Sequence, residues 1–445
     1  MKTLKMKTLK ELGLAVPEIL LPKKIDTGKW AVIACDQYTQ NKEYWENVKK
    51  ICGTEPSALN LILPEVYLGS PDRKERLEKI RKSMADYIAG NVFDAEAEEF
   101  IYVERTSSYG RTRKGLVCAI DLDTYEWKPF SKNLIRATEA TIVERIPPRK
   151  EIRKNAPLEL PHIMLLVNDP EHCLIEKAGK NAKKNAPVYD GDLMLNAGHI
   201  SGWAVKSEED LDSVYQSLEK IFNKNTAADG STFMFAVGDG NHSLATAKAV
   251  WDEYKEELKA QGKSEKEIAE SNVRYALVEI VNIYDEGLTF EPIHRVLFNA
   301  YPYKLISFLA EKLDGKIIEE DNRGALEVNV KNSKADFGFV YTVDGTMRYT
   351  RIATKITDLA VSRLQPELDE FIKKNTGVEI DYIHGTEEVF RLGQKENAVS
   401  VLLPPIAKDS FFDTISGRGP LPRKSFSMGE ADEKRFYLEC RRLFS

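Results

Sequence analysis

The sequence has few cysteines and no arrangement of them that suits a metal site or a disulfide framework. It contains 5 cysteines in 445 residues, scattered along the chain and with no Cys-x-x-Cys pair. A zinc ribbon needs paired cysteines at short spacing, and a disulfide-stabilised secreted protein usually has an even number. This pattern is typical of a protein kept in a reducing compartment, so we expect a cytoplasmic location.

Long apolar runs and an excess of positive charge are also missing. No run reaches the roughly 18 apolar residues that a membrane-spanning helix needs, and the N-terminus lacks the apolar core of a signal peptide. The 64 Lys and Arg against 70 Asp and Glu give a net charge of -6, which argues against nonspecific nucleic-acid binding. We therefore expect a small-molecule substrate, with no membrane and no nucleic acid as partners. The oligomeric state stays open.

Several familiar catalytic motifs are absent from the sequence. It has no His-x-x-x-His or His-Glu-x-x-His pair, no P-loop, no complete Gly-x-Gly-x-x-Gly turn and no Gly-x-Ser-x-Gly elbow. These absences argue against a zincin, a P-loop NTPase and a serine hydrolase of the α/β type.

The most informative stretch that is present is Gly238–Ser243, Gly-Asp-Gly-Asn-His-Ser, which we call the glycine turn. An apolar run at residues 233–237 precedes it and predicts a buried strand, while apolar residues recur at helical spacing over residues 244–254. A turn from a strand into a helix presents backbone N–H groups at the positive end of the helix, where phosphates are stabilised. The alternative is a structural turn with Asp239 or Asn241 as the N-cap.

The side chains of the glycine turn suit ligand chemistry. Gly238 and Gly240 allow close approach of the backbone to a ligand. Asp239, Asn241 and His242 can bind metal, move protons or donate to phosphate. The turn therefore predicts an anion at the N-terminus of the following helix.

The same residues resemble a known family. Residues 239–243 resemble the Asp-Gly-His-His-Arg signature of the DUF1015 family, whose members are cytoplasmic proteins of uncharacterised activity. Residues 287–295 resemble its Gly-Leu…Pro-Thr-His-Arg segment, which places His294 and Arg295 among the candidate binding residues.

Two further segments extend this resemblance. Glu139 and Arg149 match the family's His-Glu…Asp-Arg block, and residues 421–435 resemble a block of one branch of the family. The matches run from about Trp30 to Arg442, and the chain is identified as a member of the family on them.

The glycine turn also resembles, more distantly, the phosphate-holding turn of the ParB/sulfiredoxin superfamily and its free-serine kinases. The chain departs from that pattern at Asn241, which replaces a His, and at Ser243, which replaces an Arg. Without the arginine, a bound phosphate needs a cation from elsewhere. The candidates are Arg136, Arg145, Arg149 and Arg295.

Three other segments supply candidate residues with open alternatives. Asp36 lies in a polar loop after a predicted strand, where α/β proteins often line a cleft. Arg149 belongs to a basic cluster at residues 145–154, which is either an anion clamp or a solvated face. Glu139 is either a catalytic base or metal ligand, or an exposed carboxylate.

The periodicity predicts an α/β fold with a mixed sheet and a smaller α+β lobe, and the resemblance implies a core of ParB/sulfiredoxin-like type. We expect a main domain over residues 1–295, a lobe over residues 296–378, and a segment over residues 379–445 that returns to the main domain.

The leading hypothesis is a phosphate-handling enzyme of small molecules. Its concrete form is a nucleotide-dependent kinase of a hydroxylated metabolite; the resemblance to the serine kinases implies serine, ATP or ADP, and Mg²⁺. The amides of Gly238–Asn241, with Ser243, would hold phosphate, and Asp239 would hold Mg²⁺ or act as the base. His242 would contact the transferring group, with Arg149 and Arg295 neutralising charge. The alternatives are a phosphomonoester hydrolase, for example of phosphoserine, and a noncatalytic nucleotide-binding or ligand-binding regulator.

Overall fold

A mixed sheet of ten strands forms the centre of the first of two units in the computed structural model, which describes residues 9–24 and 26–444. This unit comprises the described residues up to Ala137, Thr141–Leu288 and the segment from Glu430 onward. The strands of its first two stretches are β1 Leu14–Ala15, β2 Glu18–Ile19, β3 Val32–Ile33, β4 Ala97–Glu98, β5 Phe100–Ser107, β6 Thr112–Asp121, β7 Tyr125–Glu126, β8 Ile135–Ala137, β9 Leu158–Glu159, β10 Met164–Val167, β11 Tyr189–Leu193, β12 Gly198–Val205, β13 Phe235–Asp239 and β14 Tyr275–Asn282.

The order in the sheet is β11-β12-β5-β6-β14-β10-β13-β8-β7, with β1 pairing β6. The pairs β10–β14, β13–β8 and β7–β8 are parallel, and the other pairs are antiparallel. Strands β10, β13 and β14 are almost entirely apolar and buried, as central strands covered on both faces must be. The glycine turn therefore begins at the end of a central strand.

The helices of the first unit carry their apolar faces into the same core. The longest of them, α7 (Asn241–Ala260), starts within the glycine turn, and α4 (Ile146–Arg153) packs against it. These helices are α1 Thr27–Trp30, α2 Lys42–Cys52, α3 Arg73–Ala89, α4 Ile146–Arg153, α5 Ile175–Ala182, α6 Glu208–Lys224, α7 Asn241–Ala260 and α8 Glu265–Ala269.

The second unit comprises Thr138–Ala140 and Thr289–Gly429 and has its own sheet, in the order β17-β19-β18-β21-β16-β20, plus the pair β15–β22. Its strands are β15 Phe290–Pro292, β16 His294–Phe298, β17 Lys316–Glu319, β18 Phe337–Val343, β19 Thr346–Ala353, β20 Glu379–Ile383, β21 Ala398–Leu402 and β22 Phe426–Met428. Its helices are α9 Pro302–Lys312, α10 Arg323–Lys331, α11 Ala360–Lys374, α12 Thr386–Gly393 and α13 Phe411–Arg418.

The C-terminal segment, residues 430–444, is built into the first unit. Strand β23 (Phe436–Tyr437) pairs with β3, and β24 (Arg441–Arg442) pairs with β9. Arg435, which is 2 % exposed, forms ion pairs with the buried carboxylates of Glu279 and Glu439. These contacts hold the C-terminal segment beside the central strands.

The expected fold class is confirmed, since a mixed α/β unit is accompanied by a smaller α+β unit. The observed boundaries differ from the expected lobe of residues 296–378. Strands β20 and β21 both pair with β16, so the chain up to Gly429 stays in the second unit. Only the segment from Glu430 returns to the first unit. Strand β16 itself also belongs to the smaller unit, so His294 and Arg295 do too.

Pro147 and Pro148 lie at the start of helix α4. They occupy the first turn of α4, where a missing N–H costs nothing because that group has no partner within the helix.

Candidate functional site

The glycine turn has the predicted strand-to-helix geometry. Strand β13 ends at Asp239, and Gly240 has φ +76° and ψ 29°, the left-handed conformation. A Cβ at Gly240 would lie 3.0 Å from Ile163 Cγ1 and 3.1 Å from Ile163 Cα. Glycine therefore meets both a conformational and a steric requirement here, and helix α7 begins at the next residue with no side chain at its cap.

Asp239 is held by two donors. Its Oδ1 accepts from the N–H of Gly240 at 3.0 Å, and its Oδ2 lies 3.2 Å from Lys434 Nζ. The side chains of Asp239 and Lys434 are 22% and 11% exposed. A cation from the C-terminal segment therefore stands beside the glycine turn. Lys434 was not predicted from the sequence. The one signal for it is its position in the segment at residues 421–435, which resembles a block of one branch of the family.

The first turn of α7 binds the segment that precedes α4. His242 Nε2 accepts a hydrogen bond from the N–H of Ile142 at 3.2 Å, so this nitrogen carries no proton. Asn241 Nδ2 donates to Thr141 Oγ1 at 3.3 Å. Both side chains thus have a structural task, and the predicted contact of His242 with a transferring group stays a prediction.

Ser243, the third residue of α7, starts a chain of polar contacts. Its Oγ lies 2.8 Å from His162 Nε2. The other ring nitrogen, Nδ1, lies 2.8 Å from the hydroxyl of Tyr437, which accepts from the N–H of Cys35 at 3.1 Å. His162 and Tyr437 were not predicted, and no motif in the sequence would have found them.

The predicted residues Arg149 and Asp36 also belong to the first unit. Arg149 Nε donates to Glu65 Oε1 at 2.8 Å, and its Nη1 donates to the carbonyl of Arg145 at 2.9 Å. The role of Arg149 as a phosphate clamp stays a prediction, since these hydrogen bonds go to Glu65 and Arg145. Asp36 accepts from Gln37, and burial together with the Asp36 charge raises the pKa of the neighbouring Cys35 thiol.

The remaining cations near α4 form ion pairs as well. Lys150 pairs with Glu253, and Lys154 with Glu257, which joins α4 to α7. Arg136, on β8, donates to the carbonyl of Asn133 at 2.9 Å and lies over the ring of Phe233. Burial lowers the pKa of Arg136.

In the second unit, His294 and Arg295 are buried in β16. Nδ1 of His294 accepts from the N–H of Leu403 at 3.0 Å, and burial lowers its pKa to about 4. Arg295, 0% exposed, donates to Gln365 Oε1 at 3.0 Å and to the carbonyl of Lys424 at 3.0 Å. Both residues therefore take part in packing the smaller sheet.

Glu139, the predicted base, also lies in the second unit. Its Oε1 accepts a hydrogen bond from the N–H of Ser425 at 3.2 Å. The backbone of Glu139 forms an isolated parallel β-bridge with Leu421. Its negative charge acts to raise the pKa of Arg295, whereas burial lowers that pKa to about 10.

Within residues 9–24 and 26–444, no group of three or more His, Cys, Asp or Glu side chains is arranged to hold a metal ion. A magnesium ion at Asp239 would therefore have fewer than three such side chains of the described residues as ligands. The helices over the same residues include none long and apolar enough to cross a membrane.

The sequence profile of a family described as "Protein of unknown function (DUF1015)" matches residues 18–371. No curated protein matches the chain. The profile ends before the C-terminal segment, so Lys434 and Tyr437 lie outside the matched region.

Three solved structures illustrate the similarity to known folds. A conserved hypothetical protein from Pyrococcus furiosus is 12% identical, with 70% of this chain and 90% of that chain covered and a TM-score of 0.34. A free serine kinase in complex with AMP is 11% identical, with 74% and 92% covered and a TM-score of 0.36. C-terminally truncated SbnI from Staphylococcus aureus is 8% identical, with 70% and 82% covered and a TM-score of 0.34. Likenesses at these TM-scores fix neither the fold type nor the activity of this chain.

Proposed function

This chain belongs to the DUF1015 family, and we propose that it is a phosphate-handling enzyme, in concrete form a nucleotide-dependent kinase of a hydroxylated metabolite. The observation that carries the proposal is the Asp239–Lys434 pair at the N-terminus of α7. A base, a cation and the positive end of a helix meet there, which are parts that phosphoryl transfer uses.

Lys434 supplies the cation that the sequence analysis sought among the arginines. An ammonium group is a common phosphate ligand, and Asp239 positions this one beside the glycine turn. When a phosphate binds at the amides of the glycine turn, Lys434 Nζ moves from Asp239 Oδ2 to a phosphate oxygen. Binding of the anion and release of the Asp239 carboxylate are thus one event.

Asp239 then acts as the base. Its carboxylate takes the proton of the substrate hydroxyl while the hydroxyl oxygen forms a bond to the γ-phosphorus of ATP. The bond from that phosphorus to the bridging oxygen breaks, and ADP leaves. In the alternative role of Asp239, its carboxylate would hold Mg²⁺, which commonly uses one or two protein carboxylates together with phosphate oxygens and would neutralise the nucleotide charge.

The test is a binding screen followed by an activity assay. The purified protein is heated with ATP or ADP, with Mg²⁺, and with phosphoserine, because a ligand that binds only the folded state stabilises it by about 2.7 kcal/mol at a concentration of 100 Kd. ATP consumption is then followed by ³¹P NMR with a panel of hydroxylated metabolites. Serine comes first in the panel, because of the sequence resemblance of the glycine turn.

Lys434→Met and Lys132→Met form a matched pair of variants. Lys132 is an exposed lysine paired with Asp229, so its loss leaves the site intact. We expect nucleotide stabilisation to disappear in Lys434→Met and to persist in Lys132→Met. Phosphate release from phosphoserine without nucleotide would favour the hydrolase instead. Nucleotide binding without turnover of any substrate would favour the regulator, and unchanged binding by Lys434→Met would rule out this site.

A further inference from the structure

Four groups of the first unit form a continuous hydrogen-bonded chain that ends at the glycine turn. They are the backbone N–H of Cys35, the hydroxyl of Tyr437, the imidazole of His162 and the hydroxyl of Ser243. Both ring nitrogens of His162 face an oxygen at 2.8 Å, so the ring orientation is fixed by its partners. Tyr437 is 2% exposed, which shields the chain from competing water.

The direction of this chain follows from its first member. A backbone N–H can only donate, so the oxygen of Tyr437 accepts from Cys35. The hydroxyl proton of Tyr437 has two acceptors within reach, His162 Nδ1 at 2.8 Å and the thiol of Cys35, which burial keeps neutral by raising its pKa. A neutral thiol is a weak acceptor, so the hydroxyl donates to the imidazole nitrogen. A neutral imidazole that accepts at Nδ1 carries its proton at Nε2, so His162 donates to Ser243 Oγ.

The consequence falls on the hydroxyl of Ser243. Its oxygen receives a proton from His162, so its own proton cannot go to that nitrogen. Among the residues that the structure describes, His162 is the one hydrogen-bond partner of Ser243 Oγ. The O–H of Ser243 is therefore a donor with no acceptor in the described part of the chain, in the first turn of α7.

We propose that His162 and Tyr437 are positioning residues, which hold Ser243 as a hydrogen-bond donor to a bound oxyanion. Given the proposed function, on which this part rests, the oxyanion is the phosphoryl group of the ligand. The Ser243–His162 distance alone would also suit a nucleophile and its base. That role needs the proton to pass from serine to histidine, which is opposite to the direction set by Cys35.

The direction is tested in the ligand-free protein, independently of any activity. The ¹⁵N NMR signals of the histidine side chains are recorded, with His162→Gln identifying the signals of His162. We expect a protonated Nε2 and an unprotonated Nδ1. A proton on Nδ1 with a bare Nε2 would overturn the inference and would make Ser243 a nucleophile candidate.

The role in binding is tested with inorganic phosphate as the probe, by isothermal titration calorimetry. Ser243→Ala removes the donor and Tyr437→Phe removes its orienting partner, so each is expected to weaken binding about tenfold, as for one hydrogen bond to a charged group. The double variant should lose little more than either single variant, because the two residues act through one donor.

Tyr125→Phe is the control for Tyr437→Phe. The hydroxyl of Tyr125 is buried in the first unit and has no hydrogen-bond partner among the described residues, so its removal should leave phosphate binding unchanged. Equal binding by wild type, Ser243→Ala and Tyr437→Phe would overturn the inference while the proposed function stands. If the wild type itself binds no phosphate, the proposed function and the oxyanion role both fall, whereas the NMR result still decides the direction of the chain.

Discussion

The carboxylate of Asp239 and the ammonium of Lys434 lie 3.2 Å apart, although the two residues are distant in the sequence. Asp239 ends a central strand, and Lys434 belongs to the C-terminal segment that is built back into the first unit. The family profile covers residues 18–371, so half of this pair lies beyond it. The candidate site therefore includes a residue that lies outside the matched family profile.

Replacement of Asp239 by Asn is expected to remove activity and to leave the first unit folded. Asn keeps an oxygen for the N–H of Gly240 but cannot take a proton, so turnover should fall at least about 100-fold. The control is Asp252→Asn, in helix α7 and paired with Lys248. ³¹P NMR measures turnover, and thermal unfolding measures the fold; an unfolded Asp239→Asn protein would mean that Asp239 is structural.

Replacement of His242 by Ala is expected to destabilise the first unit by about 1–3 kcal/mol. The ring accepts a hydrogen bond from the N–H of Ile142. Leaving this half-buried donor without its acceptor lowers the free energy of unfolding by that amount. His242→Gln, which can offer an amide oxygen, should recover part of the loss. Urea unfolding followed by tryptophan fluorescence is a suitable measurement, because all five tryptophans lie in the first unit. Equal stability of wild type and His242→Ala would contradict the structural role.

Replacement of Arg435 by Met is expected to cost about 3–5 kcal/mol of the free energy of unfolding. It leaves the carboxylates of Glu279 and Glu439 buried without their shared cation. The same fluorescence measurement applies, with Lys132→Met at an exposed pair as the control that should match wild type. A loss below about 1 kcal/mol would mean that the carboxylates find other partners or protons.

The second unit is expected to lose stability between pH 6.5 and pH 4 through His294. Burial, then the charges of Arg295 and His384, lower its pKa to about 4, against about 6.5 in an unfolded chain. As the pH falls below 6.5, His294 becomes protonated in the unfolded chain but stays neutral in the folded unit. The stability is thus full above pH 6.5 and falls by about 3 kcal/mol as the pH approaches 4.

His294→Gln tests this dependence, since the amide oxygen can still accept from Leu403 but does not titrate. Far-UV circular dichroism follows unfolding of the whole chain in urea at several pH values, and tryptophan fluorescence separates the first unit. The variant should show a smaller loss from pH 6.5 to 4 than wild type. His199 is a contrast of opposite sign, because its hydrogen bond to Asp192 raises its pKa. Identical pH profiles for wild type and His294→Gln would contradict the prediction.

The sequence by itself determined the local features of the site. The apolar run before Gly238, the tight turn at the two glycines and the helical periodicity after it are properties of neighbouring residues, and the structure has all three. The mixed α/β class follows from the same local periodicities.

Only the tertiary structure decided which groups face the glycine turn. The C-terminal segment, which carries Lys434 and Tyr437, and the start of β10, next to His162, pack near the turn. Arg149 instead forms an ion pair with the carboxylate of Glu65. Backbone conformation is set by neighbours in the chain, and so leaves a pattern in the sequence. The contact of a side chain with a distant segment depends on the path of the whole chain, which no local spacing encodes.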